Sequence, residues 1–230
     1  MRKQVRIQST TTLTNKAYDF IKSAIFNMEL RPGQPLMDND LAQRIQVSRT
    51  PIREALRRLE TERLVVHDPH KGWKVCSLSL DDIQQIFDLK ESLEGLAARR
   101  AVERISRKDA KKLLRIVDGM EEASRSRDHQ AWVALDVQYH EIIFRASGNE
   151  RLKQIVNNLN DQWRRLRLGH LAVEGRIERS SEEHRCIAEA IALHDGDRAE
   201  AMMRQHLEDL KRSLISLLEN MVLPLVGERV

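Results

Sequence analysis

The sequence predicts a mainly α fold in two unequal parts: a small head of three helices closed by a β-hairpin, and a larger antiparallel α-helical bundle. Three observations lead there. Glycine and proline number only 9 and 5 among 230 residues, which disfavours collagen-like, disordered and all-β chains. Apolar residues recur at spacings of three and four along most of the chain, the signature of amphipathic helices. At ~150 residues per domain, the length favours two compact units over one or three.

The head comes first. From Leu13 to Leu30, Ala17, Phe20, Ile21, Ala24, Ile25 and Met28 form one helical face, and Arg31-Pro32-Gly33 ends it. Asp38 reads as the N-cap of a short second helix whose inward side is Leu41, Ala42 and Ile45. Gln46-Val47-Ser48 is a tight connection to a third helix starting near Thr50, with Pro51 suited to the first turn and Ile52, Leu56 and Leu59 as its core stripe. Leu64-Val65-Val66 and Trp73-Lys74-Val75 flank the turn formers His67 to Gly72, a short hairpin. Three helices and a hairpin describe a winged helix-turn-helix, assigned to residues 1–76.

The remainder, 77–230, divides into six helices at about 80–104, 107–126, 129–147, 150–171, 178–194 and 197–221. Ser79 and Ser106, each with Asp three residues on, read as N-caps, while Gly148-Asn149 and Gly196-Asp197 punctuate later helices. Short connections between long helices make a single antiparallel bundle.

Charge separates the same two parts. Residues 1–75 hold 14 Lys and Arg against 8 Asp and Glu, while the rest hold 25 against 27. A basic head on a nearly neutral body points to a polyanionic partner for the head. The most apolar stretch, Leu214–Val226, is interrupted by Glu219, Asn220 and Pro224 and falls short of the ~18 apolar residues of a membrane span. The basic segment Met1 to Arg6 runs into Gln8 to Thr12, where a secretory signal needs its apolar core, so the expected compartment is the cytoplasm, with no membrane partner. Cys76 and Cys186, 110 positions apart and without a CxxC, read as two buried reduced thiols.

On the third helix the core stripe leaves Arg53 and Arg57 on another face, one turn apart, with Arg49 just before the helix start. A B-DNA major groove accepts one α-helix, and an arginine can donate two parallel hydrogen bonds to guanine. Ser48 and Thr50 add hydroxyls suited to phosphate. A solvated face competes with this reading: Glu54 can pair with Arg58, and Glu60 with Arg57. Arg49 and Arg53 have no acid at such a spacing, so they are the groove candidates, with Lys71 and Gly72 at the hairpin tip as wing contacts.

In the bundle Asp136 and His140 are four apart on one inward stripe, His184 shares a stripe with Ile177, Ile187 and Ile191, and His206 lies with Met202, Met203 and Leu210. Each histidine singly reads as an ordinary half-buried residue. Together they form a carboxylate and three imidazoles able to hold a divalent ion, and spacing leaves both readings open. Lys90 sits in the apolar stripe of Ile83, Ile86, Phe87 and Ala97 and needs an anionic partner.

Two resemblances extend these readings. Leu41-Ala42 followed by Val47-Ser48-Arg49-Thr50-Pro51-Ile52-Arg53-Glu54-Ala55-Leu56-Arg57-Arg58-Leu59 resembles the signature of the GntR family of bacterial transcription regulators, with Gln46 where that family commonly has glycine. The resemblance implies operator DNA as partner and Asn39, Ser48, Arg49, Thr50, Arg53 and the wing at Gly72 as contacts. Leu93-Glu94-Gly95-Leu96-Ala97-Ala98-Arg99, Asp136-x3-His140, Ser147-Gly148-Asn149, Glu183-His184-Arg185 and His206-Leu207 resemble the FCD effector domain of one GntR subfamily, in its shorter, VanR-like six-helix branch. That resemblance implies a homodimer and a divalent zinc, nickel or manganese ion on Asp136, His140, His184 and His206. It also implies a small carboxylate metabolite beside the ion. Lys90 stands where relatives carry an effector-binding arginine, and would meet the carboxylate as a point charge without the bidentate fork; pairing with Glu94 is the alternative. The function expected is a ligand-responsive regulator, not an enzyme; a metal-dependent hydrolase and a direct metal sensor are the alternatives the same four residues allow.

Overall fold

A computed structural model describes the backbone of residues 5–171 and 175–226 and the side chains of 12–164 and 175–220. The outermost residues of both expected domains, 1–4 and 227–230, and the side chains of the basic N-terminal segment lie outside the described residues. Two compact units form, one of residues 1–79 with 161–165, the other of 80–160 with 166–230.

In the head, α1 (Val5–Phe26), β1 (Pro35–Leu36), α2 (Asp38–Ile45), α3 (Arg49–Thr61), β2 (Val65–Asp68) and β3 (Gly72–Val75) follow in order. Helix α1 starts well before Leu13, because the polar run Gln8 to Thr12 has no apolar periodicity to reveal it. It stops before Leu30, because Met28 turns left-handed at φ 62° and the Leu30 amide closes the end onto Ala24 O at 3.0 Å. Ala17, Ile21 and Ile25 pack against Ile52, Leu56 and Leu59, all fully buried. Strand β1, too short to show alternation, adds a third strand to the hairpin in the order β1-β3-β2, with Leu36 opposite Trp73.

Two caps differ from expectation. Met37 stands at the N-cap of α2 without a side-chain bond, and Asp38 is the first helical residue. Ser48 caps α3, so Arg49 lies inside the helix rather than before it. Gln46 ends α2 in the left-handed region, φ 59° and ψ 51°, a conformation that costs a side-chain-bearing residue about 1 kcal/mol and glycine nothing. Gln46→Gly is therefore expected to raise stability by up to about 1 kcal/mol in a urea titration; an unchanged or lowered midpoint contradicts the strain.

The bundle consists of α4 (Leu80–Arg104), α5 (Arg107–Arg125), α6 (His129–Ala146), α7 (Glu150–Leu171), α8 (Arg176–Ala192) and α9 (Gly196–Val226). Ser106 caps α5 by accepting the Asp109 amide at 3.0 Å, and Asp128 caps α6 through the Ala131 amide at 2.9 Å. Helix α9 continues from 221 to Val226. Gly95 lets α4 approach α9 closely, since a Cβ there would stand 2.9 Å from Arg204 Cγ. Cys76 and Cys186 form no disulfide among the described residues, and both are half-buried rather than buried, each standing near the surface of its unit. Among the described residues no helix is long and apolar enough to cross a membrane.

Candidate nucleic-acid interface and candidate metal centre

Helix α3 sorts its residues by face: Pro51, Ile52, Ala55, Leu56 and Leu59 are buried, whereas Arg49, Thr50, Arg53 and Arg57 are exposed together with the capping Ser48. Asn39 is exposed in the first turn of α2. The side chains of Arg49 and Arg53 are each 55% exposed, yet neither lacks an acid. Asp38, 13% exposed, brings Oδ2 to 2.5 Å from Arg53 Nε and 3.8 Å from Arg49. That partner comes from α2, fifteen residues away, where helical spacing does not look.

The pairs expected within α3 give way to tertiary ones. Glu54 accepts the Thr14 hydroxyl at 2.7 Å, and Glu60 accepts the His67 amide at 3.2 Å. Arg58 donates to Asn15 at 2.8 Å and lies 4.1 Å from the Tyr18 ring centre. Arg58 thereby belongs to the head's internal packing. In the wing, Asp68 Oδ1 accepts the His70 and Lys71 amides, Gly72 turns with φ 78° into open space, and Lys71 is exposed.

In the bundle, α6, α8 and α9 bring Asp136, His140, His184 and His206 together. One ring nitrogen from each histidine lies within 4.8 Å of the others. His184 Nε2 is 3.2 Å from His140 Nε2 and 3.2 Å from Asp136 Oδ1, and His140 Nε2 is 3.6 Å from that same oxygen. Two imidazole nitrogens sharing an ion at ~2.0–2.1 Å stand ~3.0–3.4 Å apart, so this spacing suits a shared divalent ion.

Two of the three outward nitrogens are also occupied. His184 Nδ1 lies 2.5 Å from Ser180 O, and His206 Nδ1 lies 2.6 Å from Glu183 Oε2. Those acceptors place the ring hydrogens on Nδ1 and leave Nε2 as the lone pair, the usual buttressing of metal-bound imidazole. His140 Nδ1 is 3.3 Å from Glu94 Oε2 but makes no hydrogen bond among the described residues. Glu183 is in turn gripped by the buried Arg176 through both terminal nitrogens, at 3.0 and 2.8 Å.

Protonation follows this geometry. Burial raises the Glu183 pKa, but the His206 hydrogen bond and Arg176 outweigh it and hold the carboxyl at about 2. Burial and the neighbouring His184 and His140 hold His206 at about 4 against the pull of Glu183, so its ring is neutral at pH 7. Burial lowers His140, but Asp136 and Glu94 outweigh it and raise the ring to about 9. A neutral ring is what a metal ligand requires, and His140 must release its proton to become one.

Lys90 is 2% exposed and donates to both Glu94 and Asn160. Its charge is thus answered inside the bundle, by the Glu94 pairing that sequence spacing allowed. Burial raises Glu94, but Lys90 and His140 outweigh it and hold it at about 2. Lys90→Met leaves that buried carboxylate without its main partner, and a loss of about 3–5 kcal/mol is expected in chemical denaturation. A loss under about 1 kcal/mol contradicts the burial of the pair.

The outer residues Glu94, Asn160, Arg176, Ser180 and Glu183 were not identified as site residues from sequence. For Glu183 the signal was its place beside His184 in the Glu183-His184-Arg185 run. Arg176 lies seven residues, two helical turns, before it.

A winged head with outward guanidinium groups, joined to a helical bundle with a buried histidine cluster, defines a two-domain DNA-binding regulator. Comparison with known proteins gives the family. Residues 13–75 match the bacterial regulatory proteins of the gntR family, and residues 85–209 match the FCD domain. The Bacillus subtilis HTH-type transcriptional regulator YdhC is 28% identical over 208 residues, covering 88% of this chain and 93% of its own. A probable D-xylose utilization operon transcriptional repressor of Paenarthrobacter nicotinovorans is 27% identical over 197 residues, covering 86% of each chain. The solved structure of E. coli McbR/YncC shares the fold with a TM-score of 0.70 at 20% identity, over 91% of this chain and 98% of its own. The chain belongs to the GntR family, with an FCD domain as its helical bundle, and is a transcriptional regulator. The family consists of regulators, which sets aside the hydrolytic alternative.

Proposed function

We propose that the protein is a cytoplasmic, metabolite-responsive repressor that holds operator DNA as a homodimer and is controlled from a metal centre in its bundle. Asn39, Ser48, Arg49, Thr50 and Arg53 meet the operator, and Lys71 and Gly72 meet its backbone or minor groove. Asp136, His140, His184 and His206 hold a divalent zinc, nickel or manganese ion, which supplies open coordination positions for a small carboxylate metabolite. The reading rests on one observation: three imidazoles from three helices meet with ligand-like spacing, Asp136 lies against two of them, and the outer nitrogens of His184 and His206 are buttressed. Support for a dimer comes from Leu89 and Leu96, seven residues apart on α4 and 52% and 38% exposed, an apolar stripe of the kind helices bury against a second copy. Repression is the role named for the xylose-operon relative.

Control is a population shift: occupancy of the bundle biases the arrangement of two heads and so changes affinity for two half-sites. The test is operator affinity of the zinc-loaded and chelator-treated protein, with and without small carboxylates. A change of about 5- to 150-fold on metal or carboxylate loading is expected, and identical affinity in all four states defeats the proposal. One observation favours direct metal sensing as a second reading: Lys90 is already paired with Glu94 and Asn160. Zinc alone would then shift operator affinity in full, with no further change on adding carboxylate.

A further inference from the structure

We propose that a cavity of the bundle, between α8 and α9, binds a small anionic metabolite through Arg176, Arg179 and Arg212. The cavity measures about 440 Å³ and is lined by these three arginines with Glu183, Asp209 and Ser213. That volume falls within the ~300–1,000 Å³ of small-molecule sites. Three guanidinium groups face two carboxylates, so the lining carries a net positive charge.

Arg176 supplies the decisive feature. It is 2% exposed, and a cation so buried is stable only when its donors are satisfied. Both terminal nitrogens hold Glu183, but Nε has no hydrogen-bond partner among the described residues. An unpaired buried donor is costly; Nε is sealed from solvent in this arrangement, so an oxyanion in the cavity becomes its acceptor once the Arg176 side chain turns toward it. Arg179 and Arg212 are exposed. Arg179 Nε donates to Gly175 O at 3.3 Å and Arg212 pairs with Asp209, which leaves other N–H groups of each fork for a ligand. The ligand class is a small molecule bearing a carboxylate or phosphate, the two groups whose oxygens match an arginine fork. This site differs from the carboxylate position proposed beside the ion, and Glu183 links it to the metal centre, since its Oε2 also faces His206.

The test is isothermal titration calorimetry of the full-length, zinc-loaded protein with glutarate and, separately, inorganic phosphate. Saturable binding of at least one probe is expected at one site per chain besides any carboxylate held at the ion, and the tighter of the two at that site identifies the ligand's charged group. The double variant Arg179→Gln, Arg212→Gln changes only exposed side chains and is expected to weaken that binding at least about tenfold, with circular dichroism unchanged. Absence of saturable binding by either probe overturns the proposal. So does a double variant that binds as the parent does, since the probe is then held at the metal centre. Neither outcome bears on whether metal loading changes operator affinity.

Discussion

Arg53→Ala is expected to weaken binding to a selected operator by roughly 5- to 150-fold, the equivalent of the ~1–3 kcal/mol that a bidentate arginine–guanine contact contributes. Arg49→Ala is expected to act in the same direction. Both side chains stand on the exposed face of α3, with Asp38 beside them as their anionic neighbour. The contrast is Arg58→Ala. Because Arg58 binds Asn15 and stacks on Tyr18, its loss is expected to lower stability of the head and leave the ranking of operator sequences unchanged. The measurement is fluorescence anisotropy against a duplex enriched from a random pool and against a scrambled duplex, at two salt concentrations. Loss of discrimination marks base contact, whereas a uniform loss with a shallower salt dependence marks phosphate contact. Parent-like affinity in both Arg49→Ala and Arg53→Ala ends the assignment of α3 as the recognition helix.

The second large effect is expected at the histidine cluster. His184→Ala removes the ring that faces both His140 and Asp136, and zinc affinity is expected to fall by at least about 100-fold in competition with a chromophoric chelator. Glu183→Gln keeps every ligand but removes the charge behind His206 and beside the buried Arg176, so a smaller loss of about 10- to 100-fold is expected, with circular dichroism checking that the bundle stays folded. The pH dependence has a definite sign. His140, raised to about 9, is protonated at pH 7 in the ion-free protein, so zinc binding releases its proton and apparent affinity rises with pH until about 9. Calorimetry in buffers of different ionisation enthalpy reads the released proton directly. Zinc binding that is independent of pH between 6 and 8, or undiminished in His184→Ala, excludes this site as the metal centre.

Most of the helical layout was legible because helical periodicity is local. Ile52, Leu56 and Leu59 declare their face within one helix, and the bundle boundaries follow from caps such as Ser106 and breaks such as Gly148. Where local signals were weak, the expectation failed: the polar start of α1 and the two-residue β1 carry no pattern. Asp136 and His140 were visible as a pair because an i,i+4 spacing puts them on one side of α6. Their meeting with His184 and His206 needed the packing of three helices.

By itself, then, the amino-acid order determined the helices, the basic head, the residues that face outward on α3 and the candidate ligands, since each depends on neighbours within about one helical turn. Who partners whom was settled by how the helices pack. That packing placed Asp38 on Arg53, Arg58 on Tyr18, Asn160 on Lys90 and Arg176 on Glu183 behind His206. Most of these pairs join different helices, and a side chain's nearest charge across an interface depends on how helices pack, which spacing along one helix does not encode.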